Sequence, residues 1–223
     1  MQNALFWLDI FGTLVFAISG AFRAVKYELD LFGVLVLSIA TGVGGGIIRD
    51  ILLGKNPPAV FQNEIYFLVC IAAGMMVFLW APKIARGWDY VLIADGIGLG
   101  VFAGLGAAIA QHQGTGALGI VLLAVITATG GGVIRDVLVR EVPVVLHSDF
   151  YASAVLIGGI WFVSAEKLSI NGDYALYSTV ILVIGLRFLA MKYKLSLPRV
   201  KKLPKSPSLI SRERRELTDK KEK

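Results

Sequence analysis

Seven long apolar stretches follow one another along the chain, with short polar segments between them. They cover about residues 4–24, 31–54, 64–81, 89–110, 116–139, 149–165 and 173–191. A helix that crosses the ~30 Å hydrocarbon layer of a membrane needs about 20 mostly apolar residues. The stretches are continuous rather than alternating, which favours helices over the strands of a barrel. The pattern therefore predicts an all-α multi-span membrane protein with seven transmembrane helices.

The polar and glycine positions show an internal duplication. The segment TGVGGGIIRD at residues 41–50 returns as TATGGGVIRD at residues 127–136, and the same offset of 86 residues relates Asp9 to Asp95 and Phe16 to Phe102. Each copy contains three predicted helices, an odd number, so the second copy enters the membrane from the opposite side. We therefore predict a first three-helix repeat over residues 1–86, a second, inverted three-helix repeat over residues 87–172, a seventh helix over residues 173–191 and a tail over residues 192–223.

Composition agrees with a membrane location, and charge placement predicts the orientation. Hydrophobic residues make up 56% of the chain and charged residues only 17%. The net charge is +6, and the tail alone carries +8, because it holds 12 Lys/Arg against 4 Asp/Glu. Basic residues elsewhere collect on one side of the predicted trace, at Arg23, Lys26, Lys83, Arg86 and Arg140, whereas the other side has Lys55 and Lys167. Positive charge marks the cytoplasmic side, so we predict that the N-terminus lies outside and the C-terminus in the cytoplasm.

The basic tail has no sustained apolar face. We expect it to be disordered and to lie along anionic lipid headgroups rather than to bind nucleic acid. Arg187, near the cytoplasmic end of the seventh stretch, is expected to extend to the membrane interface.

Three consecutive glycines stand in both the second and the fifth apolar stretch. Each costs about 1 kcal/mol relative to alanine inside a helix, so another effect must offset that cost. One explanation is close helix packing, because Gly42 and Gly46 have the small-xxx-small spacing. The other is a local break that exposes backbone carbonyls, which can replace part of a cation's hydration shell. The second explanation predicts transient monovalent cation sites near Gly44, Gly45, Gly130 and Gly131.

An Arg-Asp pair follows each glycine triplet, and buried charge in a bilayer usually marks an ion pair or an aqueous path. Arg49 and Asp50 share a predicted depth with Asp9, and their repeat equivalents Arg135 and Asp136 share one with Asp95. Each mouth then has one arginine and two carboxylates, a formal net of −1 that favours cations. The alternative is that each arginine only neutralises a neighbouring carboxylate and holds two helices together.

Phe16 and Phe102 lie about two turns from the carboxylates on the first and fourth helices, where they either narrow a pore or pack as ordinary apolar side chains. The candidate pore residues are Asp9, Phe16, Thr41, Gly44, Gly45, Gly46, Arg49, Asp50, Asp95, Phe102, Thr127, Gly130, Gly131, Gly132, Arg135 and Asp136.

Signatures of catalysis are missing from the sequence. His112 and His147 have no companion at metal-ligand spacing and no nucleophile partner. Cys70 is the single cysteine, so neither an intramolecular disulfide nor a thiolate metal cluster can form. We therefore expect neither an enzyme nor a dedicated metal or cofactor, apart from transported K⁺ or Na⁺.

The segments GGGIIRD at residues 44–50 and GGGVIRD at residues 130–136 resemble the prokaryotic trimeric intracellular cation channel (TRIC) family, also labelled UPF0126 or glycine transporter domain. The similarity extends over about residues 5–190. It implies a homotrimer in the bacterial plasma (inner) membrane, in which each protomer has its own pore for potassium and sodium, lined by both repeats and including kinked second and fifth helices. The family's other label names an alternative function, a secondary transporter of a small zwitterion such as glycine. The expected partners are further copies of the chain and membrane lipids.

Overall fold

The computed structural model describes residues 2–84, 88–147, 150–193 and 195. These residues form helices α1 (Gln2–Lys26), α2 (Leu31–Leu52), α3 (Ala59–Gln62), α4 (Ile65–Ile84), α5 (Trp88–His112), α6 (Ala117–Leu138), α7 (Val144–His147), α8 (Ala152–Lys167) and α9 (Gly172–Tyr193). Residues 85–87, with Arg86, and nearly all of the predicted tail lie outside the described residues.

Each of the seven predicted apolar stretches contains one long helix. Five of these helices, α1, α2, α5, α6 and α9, are long and apolar enough to cross a membrane. The other two are shorter in this respect: the apolar part of α4 extends over Ile65–Trp80, and α8 has 16 residues. The four-residue helices α3 and α7 lie in connections and were not predicted from the hydrophobic pattern. The chain is thus an all-helical membrane protein.

The helices repeat with the offset of the sequence. Helices α1 and α5 both have 25 residues, and α2 and α6 both have 22, with ends at equivalent positions. Both α2 and α6 end just before a residue with positive φ, Gly54 in the first half and its equivalent Arg140 in the second. At the start of α2, the Asp30 carboxylate accepts a hydrogen bond from the Gly33 backbone N–H at 2.8 Å, which caps the helix.

Four helices form the centre of the molecule. Helix α1 packs against α2, α4 and α5, helix α5 packs against α6, α8 and α9, and α2 crosses α6. Apolar side chains of α1 and α5 fill the space between them, among them the fully buried Phe16, Leu99 and Leu105. This arrangement places both glycine triplets, and both Arg-Asp pairs that follow them, inside the protein.

Candidate functional site

The two glycine triplets lie at the crossing of α2 and α6. Both helices are continuous α-helix through the triplets, so the second of the two explanations, a local break in the helix, is wrong. Thr41 and Thr127, one turn earlier, are fully buried, and each hydroxyl donates to a carbonyl of its own helix, at Leu37 and Leu123, both at 2.6 Å. The carbonyl groups of Leu37 and Leu123 therefore accept hydrogen bonds from their own helices.

The middle glycine of each triplet contacts the backbone of the other half. A Cβ atom on Gly45 would lie 3.3 Å from the Thr127 carbonyl carbon and closer still to its oxygen, and a Cβ on Gly131 would meet the Thr41 carbonyl in the same way. The absence of a side chain at these two positions lets the helix backbones touch. Close packing therefore accounts for the central glycines without any break in the helices.

The first charged cluster consists of Asp9, Arg49, Asp50 and Tyr66. Arg49 Nε donates to Asp50 Oδ1 at 2.9 Å, and Arg49 Nη2 lies 3.7 Å from Asp9 Oδ2. The Tyr66 hydroxyl donates to the same Asp9 oxygen at 3.1 Å, and Asp50 Oδ2 accepts the backbone N–H of Ala59 at the start of α3. The three predicted charged residues are thus brought together, each almost fully buried.

A small cavity of about 10 Å³ adjoins the first charged cluster. Asp9, Arg49, Gly46 and Phe102 are among its lining residues, and its volume suits about one water molecule. Gly46, the third glycine of its triplet, has an open side, because a Cβ there would meet only Arg49 Nη2, at 3.7 Å. Within the described part of the chain, Arg49 Nη1 is buried and has no hydrogen-bond partner.

The second charged cluster contains Asp95, Arg135 and Asp136, as the duplication predicted. Arg135 Nε donates to Asp136 Oδ1 at 2.9 Å, and Arg135 Nη1 donates to Asp95 Oδ1 at 2.7 Å. Asp136 Oδ2 accepts the Val144 backbone N–H at 2.9 Å at the start of α7. The same arrangement of an arginine, two carboxylates and a capped short helix therefore occurs in both halves.

Three further side chains join the second charged cluster, and the sequence analysis missed their role. The Ser19 hydroxyl accepts from Arg135 Nη1 at 2.7 Å, and Arg23 Nη2 lies 3.2 Å from Asp136 Oδ1 and also donates to the Glu141 carboxylate. Arg23 was interpreted as an orientation charge, but its side chain is only 4% exposed. The sequence offered one signal for Ser19 and Arg23: each is polar, whereas its equivalent in the second copy, Leu105 or Ile109, is apolar.

Arg187 also lies inside the protein rather than at the membrane interface. Its side chain is buried, and its guanidinium carbon lies 4.9 Å from the centre of the Tyr151 ring, a cation–π contact. The expectation that Arg187 extends outward is therefore wrong, because Tyr151 at the start of α8 offers it an internal aromatic face.

Phe16 and Phe102 pack against each other between the two clusters. Their ring centroids are 5.2 Å apart, and both side chains are buried. Helix α1 carries Asp9 of the first cluster and Arg23 of the second, about 21 Å apart at 1.5 Å per residue, with Phe16 halfway between them. The aromatic pair therefore lies between the two clusters, about midway along the part of α1 that joins them.

The described residues contain no group of three or more His, Cys, Asp or Glu that could hold a metal ion. Cys70 is a buried free cysteine, and His112 ends α5. The His147 side chain lies outside the described residues.

A family model described as "Glycine transporter" matches the chain twice, over residues 6–82 and 92–167. The two matches begin 86 residues apart, the offset of the duplicated sequence. The UPF0126 membrane protein of Vibrio cholerae is 40% identical over 198 residues, which are 88% of this chain and 82% of that one. The UPF0126 inner membrane protein YadS of Escherichia coli (strain K12) is 39% identical over 196 residues, covering 87% and 95%.

Solved structures give the same result. A TRIC cation channel, solved to explain conductance through these channels, matches with a TM-score of 0.82 and 41% identity over 89% of this chain and 98% of that one. The TRIC trimeric intracellular cation channel orthologue from Rhodobacter sphaeroides matches with a TM-score of 0.83 and 33% identity, covering 87% and 100%. These relatives are described as membrane proteins and channels rather than as enzymes. With both halves matched by one family model and close relatives along most of its length, the chain belongs to the TRIC/UPF0126 family of membrane proteins.

Proposed function

We propose that the chain is a passive channel for monovalent cations, potassium and sodium, with a pore inside each protomer of a homotrimer. The observation that carries this proposal is the pair of buried charged clusters toward opposite ends of α1, with the Phe16–Phe102 pair between them and a small cavity at the first cluster. Burying charge at membrane depth is expensive and is a mark of ion pathways. The similarity to TRIC cation channels supports the same function.

The charges of the clusters favour cations over anions. In the first cluster, Asp9 and Asp50 carry two formal negative charges and Arg49 carries one positive charge, so the net charge is −1. In the second, the carboxylates of Asp95, Asp136 and Glu141 are balanced by Arg23, Arg135 and Arg187, whose guanidinium lies over the Tyr151 ring, so the excess of carboxylates lies at the first cluster. An excess of carboxylate oxygens attracts cations to a narrow path, as the acidic rings of cation channels do. Phe16 and Phe102 would form its constriction.

The proposed topology has seven spans, with the second three-helix repeat inverted relative to the first. Helix α8, with 16 residues, extends about 24 Å at 1.5 Å per residue, which approaches the length needed for a thin hydrocarbon layer. The N-terminus lies outside the bacterial plasma membrane and the C-terminus in the cytoplasm, by the distribution of basic residues.

This topology can be tested by labelling single cysteines in whole cells. In intact cells an impermeant maleimide should label Lys55→Cys and not Arg140→Cys, each in a Cys70→Ala background, and after the cells are opened it should label both. Labelling of both from the same side would contradict the inverted repeat.

A carrier of glycine is the second candidate, because the matching family model has that description. A carrier needs an enclosed site for its substrate, and glycine has five non-hydrogen atoms. The cavity at the first charged cluster, at about 10 Å³, has room for about one water. The distribution of the charged residues over two separate clusters, rather than one central pocket, favours a path for small ions over a binding site for an amino acid.

The deciding experiment uses purified protein in planar bilayers under a KCl gradient. A channel gives unitary currents that reverse close to the potassium equilibrium potential, and glycine added afterwards leaves them unchanged. In a parallel assay, the uptake of radiolabelled glycine into proteoliposomes that contain the protein is measured. Saturable glycine uptake without unitary currents would contradict the channel and favour the carrier.

A further inference from the structure

Three of the positions at which the two copies differ add a polar side chain to the second charged cluster. Ser19 has Leu105 as its repeat equivalent, Arg23 has Ile109, and Glu141 has Lys55. Two of these changes replace an apolar residue with a polar one, and the third reverses a charge. The two clusters therefore share a plan but differ in the charged groups that surround it.

Arg23 changes the surroundings of one carboxylate in particular. Asp136 Oδ1 accepts from Arg135 Nε at 2.9 Å and lies 3.2 Å from Arg23 Nη2, and Asp136 Oδ2 accepts the Val144 N–H. In the first cluster, Asp50 contacts one guanidinium, that of Arg49, and the Ala59 N–H. The carboxylate of the second half is thus neutralised by two arginines, and that of the first half by one.

Glu141 sits on the solvent side of this arrangement. Its side chain is 37% exposed, whereas those of Arg23 and Asp136 are 4% and 1% exposed. Arg23 therefore lies between a buried carboxylate and a partly exposed one. A cation that approaches the second cluster from the solution meets Glu141 first and the guanidinium of Arg23 next.

We infer that Arg23 raises, and Glu141 lowers, the electrostatic barrier that a cation meets at the second charged cluster. This pair then sets the conductance and the preference for cations over anions. The inference rests on the proposed channel function and assigns its specificity to two residues that lie outside the repeated motif. Arg23 acts through its charge, since one positive group next to the path repels cations and attracts anions.

The test compares three substitutions in planar bilayers: Arg23→Gln, Glu141→Gln and, as a matched control, Lys26→Gln. Lys26 lies one turn further along α1 and is exposed, so its substitution removes the same charge from the same end of the helix. A unit charge about 8 Å from the path changes the local cation concentration by about twofold when water separates the two.

We expect Arg23→Gln to raise the unitary conductance about twofold in 0.1 M KCl and to shift the reversal potential in a KCl gradient further toward that of potassium. Glu141→Gln should change both quantities by a similar factor in the opposite direction, and Lys26→Gln should change neither by as much. In 1 M KCl the effect of substituting the partly exposed Glu141 should largely disappear, because the screening length falls to about 3 Å, whereas the effect of the buried Arg23 should fall less. Opposite signs for the two partners of one ion pair, together with loss of the effect in salt, are not expected from a purely structural role.

Equal directions for Arg23→Gln and Glu141→Gln, or unchanged currents in both, would overturn the inference while leaving the channel function intact. Absence of currents from the wild-type protein would instead overturn the channel function and the inference together. If Arg23→Gln does not assemble, as judged by size-exclusion chromatography, the partly exposed Glu141→Gln decides the question. Its conductance must then fall below the wild-type value, and any other result rejects the assignment.

Discussion

The reciprocal glycine contact gives a prediction in which two neighbouring glycines behave oppositely. In Gly45→Ala the new methyl group would lie less than 3.0 Å from the Thr127 carbonyl oxygen of the facing helix. Ordinary carbon–oxygen contacts in close helix pairs are about 3.3–3.6 Å, and a backbone carbonyl cannot rotate away. Helices α2 and α6 would have to move apart by up to about 1 Å, and such overpacking typically costs 1–3 kcal/mol.

Gly46→Ala is the matched control on the next residue of the same helix. Its methyl group would meet Arg49 Nη2 at 3.7 Å, which is ordinary van der Waals contact. Alanine is also the better helix former by about 1 kcal/mol, so this variant should be as stable as the wild type or slightly more stable. The same contrast is expected between Gly131→Ala and Gly132→Ala in the second half.

Thermal unfolding of the purified protein in detergent, followed by circular dichroism, measures the difference. For a chain of this length, 1 kcal/mol corresponds to about 2–4 °C in Tm. Gly45→Ala should therefore lower Tm by several degrees, and Gly46→Ala should not lower it. Equal melting temperatures for the two variants would refute the argument that backbone contact, rather than flexibility, explains the central glycines.

Three further predictions concern the charged clusters and the aromatic pair. Asp9→Asn and Asp95→Asn should both reduce cation conductance in bilayers, and unchanged permeability ratios in both variants would reject a role in conduction. Asp95→Asn should also lower Tm more than Asp9→Asn, because the Asp95–Arg135 distance is 2.7 Å and the Asp9–Arg49 distance is 3.7 Å. Breaking a buried ion pair costs about 3–5 kcal/mol. Phe102→Leu should raise unitary conductance by removing a ring at the constriction, and an unchanged conductance would leave the ring with packing alone. Ser19→Ala should cost about 1–3 kcal/mol, because a buried guanidinium loses an acceptor, which the Tm detects when compared with Ser164→Ala, whose hydroxyl bonds within its own helix.

Much of the architecture follows from local pattern in the sequence. The apolar runs predicted all seven long helices because length and hydrophobicity are properties of each segment alone. The repeated Arg-Asp pairs and the equivalent Asp9 and Asp95 predicted the arginine and the two carboxylates that both clusters share. That prediction used only the duplication and the depth of each residue along its helix, and both could be read without knowledge of which helices touch.

Other parts of the site depend on which helices touch, and sequence alone could not supply them. Ser19 and Arg23 reach the second cluster because α1 packs beside the end of α6, a contact between the two halves that no motif encodes. Arg187 turns inward because Tyr151 lies next to it. The glycine triplets allowed two opposite interpretations, a broken helix or a tight crossing, and the decision lies in a backbone contact between Gly45 and Thr127 across the molecule.

The reciprocity of the glycine crossing also bears on how the two copies can diverge after duplication. Gly45 faces a carbonyl of the second copy, and Gly131 faces a carbonyl of the first. A substitution of either glycine therefore disturbs the same contact between α2 and α6. A change in a neighbouring side chain cannot relieve it, because the clash is with main-chain atoms. Equivalent positions such as Ser19 and Leu105 can carry different residues in the two copies. At Gly45 and Gly131, by contrast, both copies must keep glycine for α2 and α6 to stay in contact.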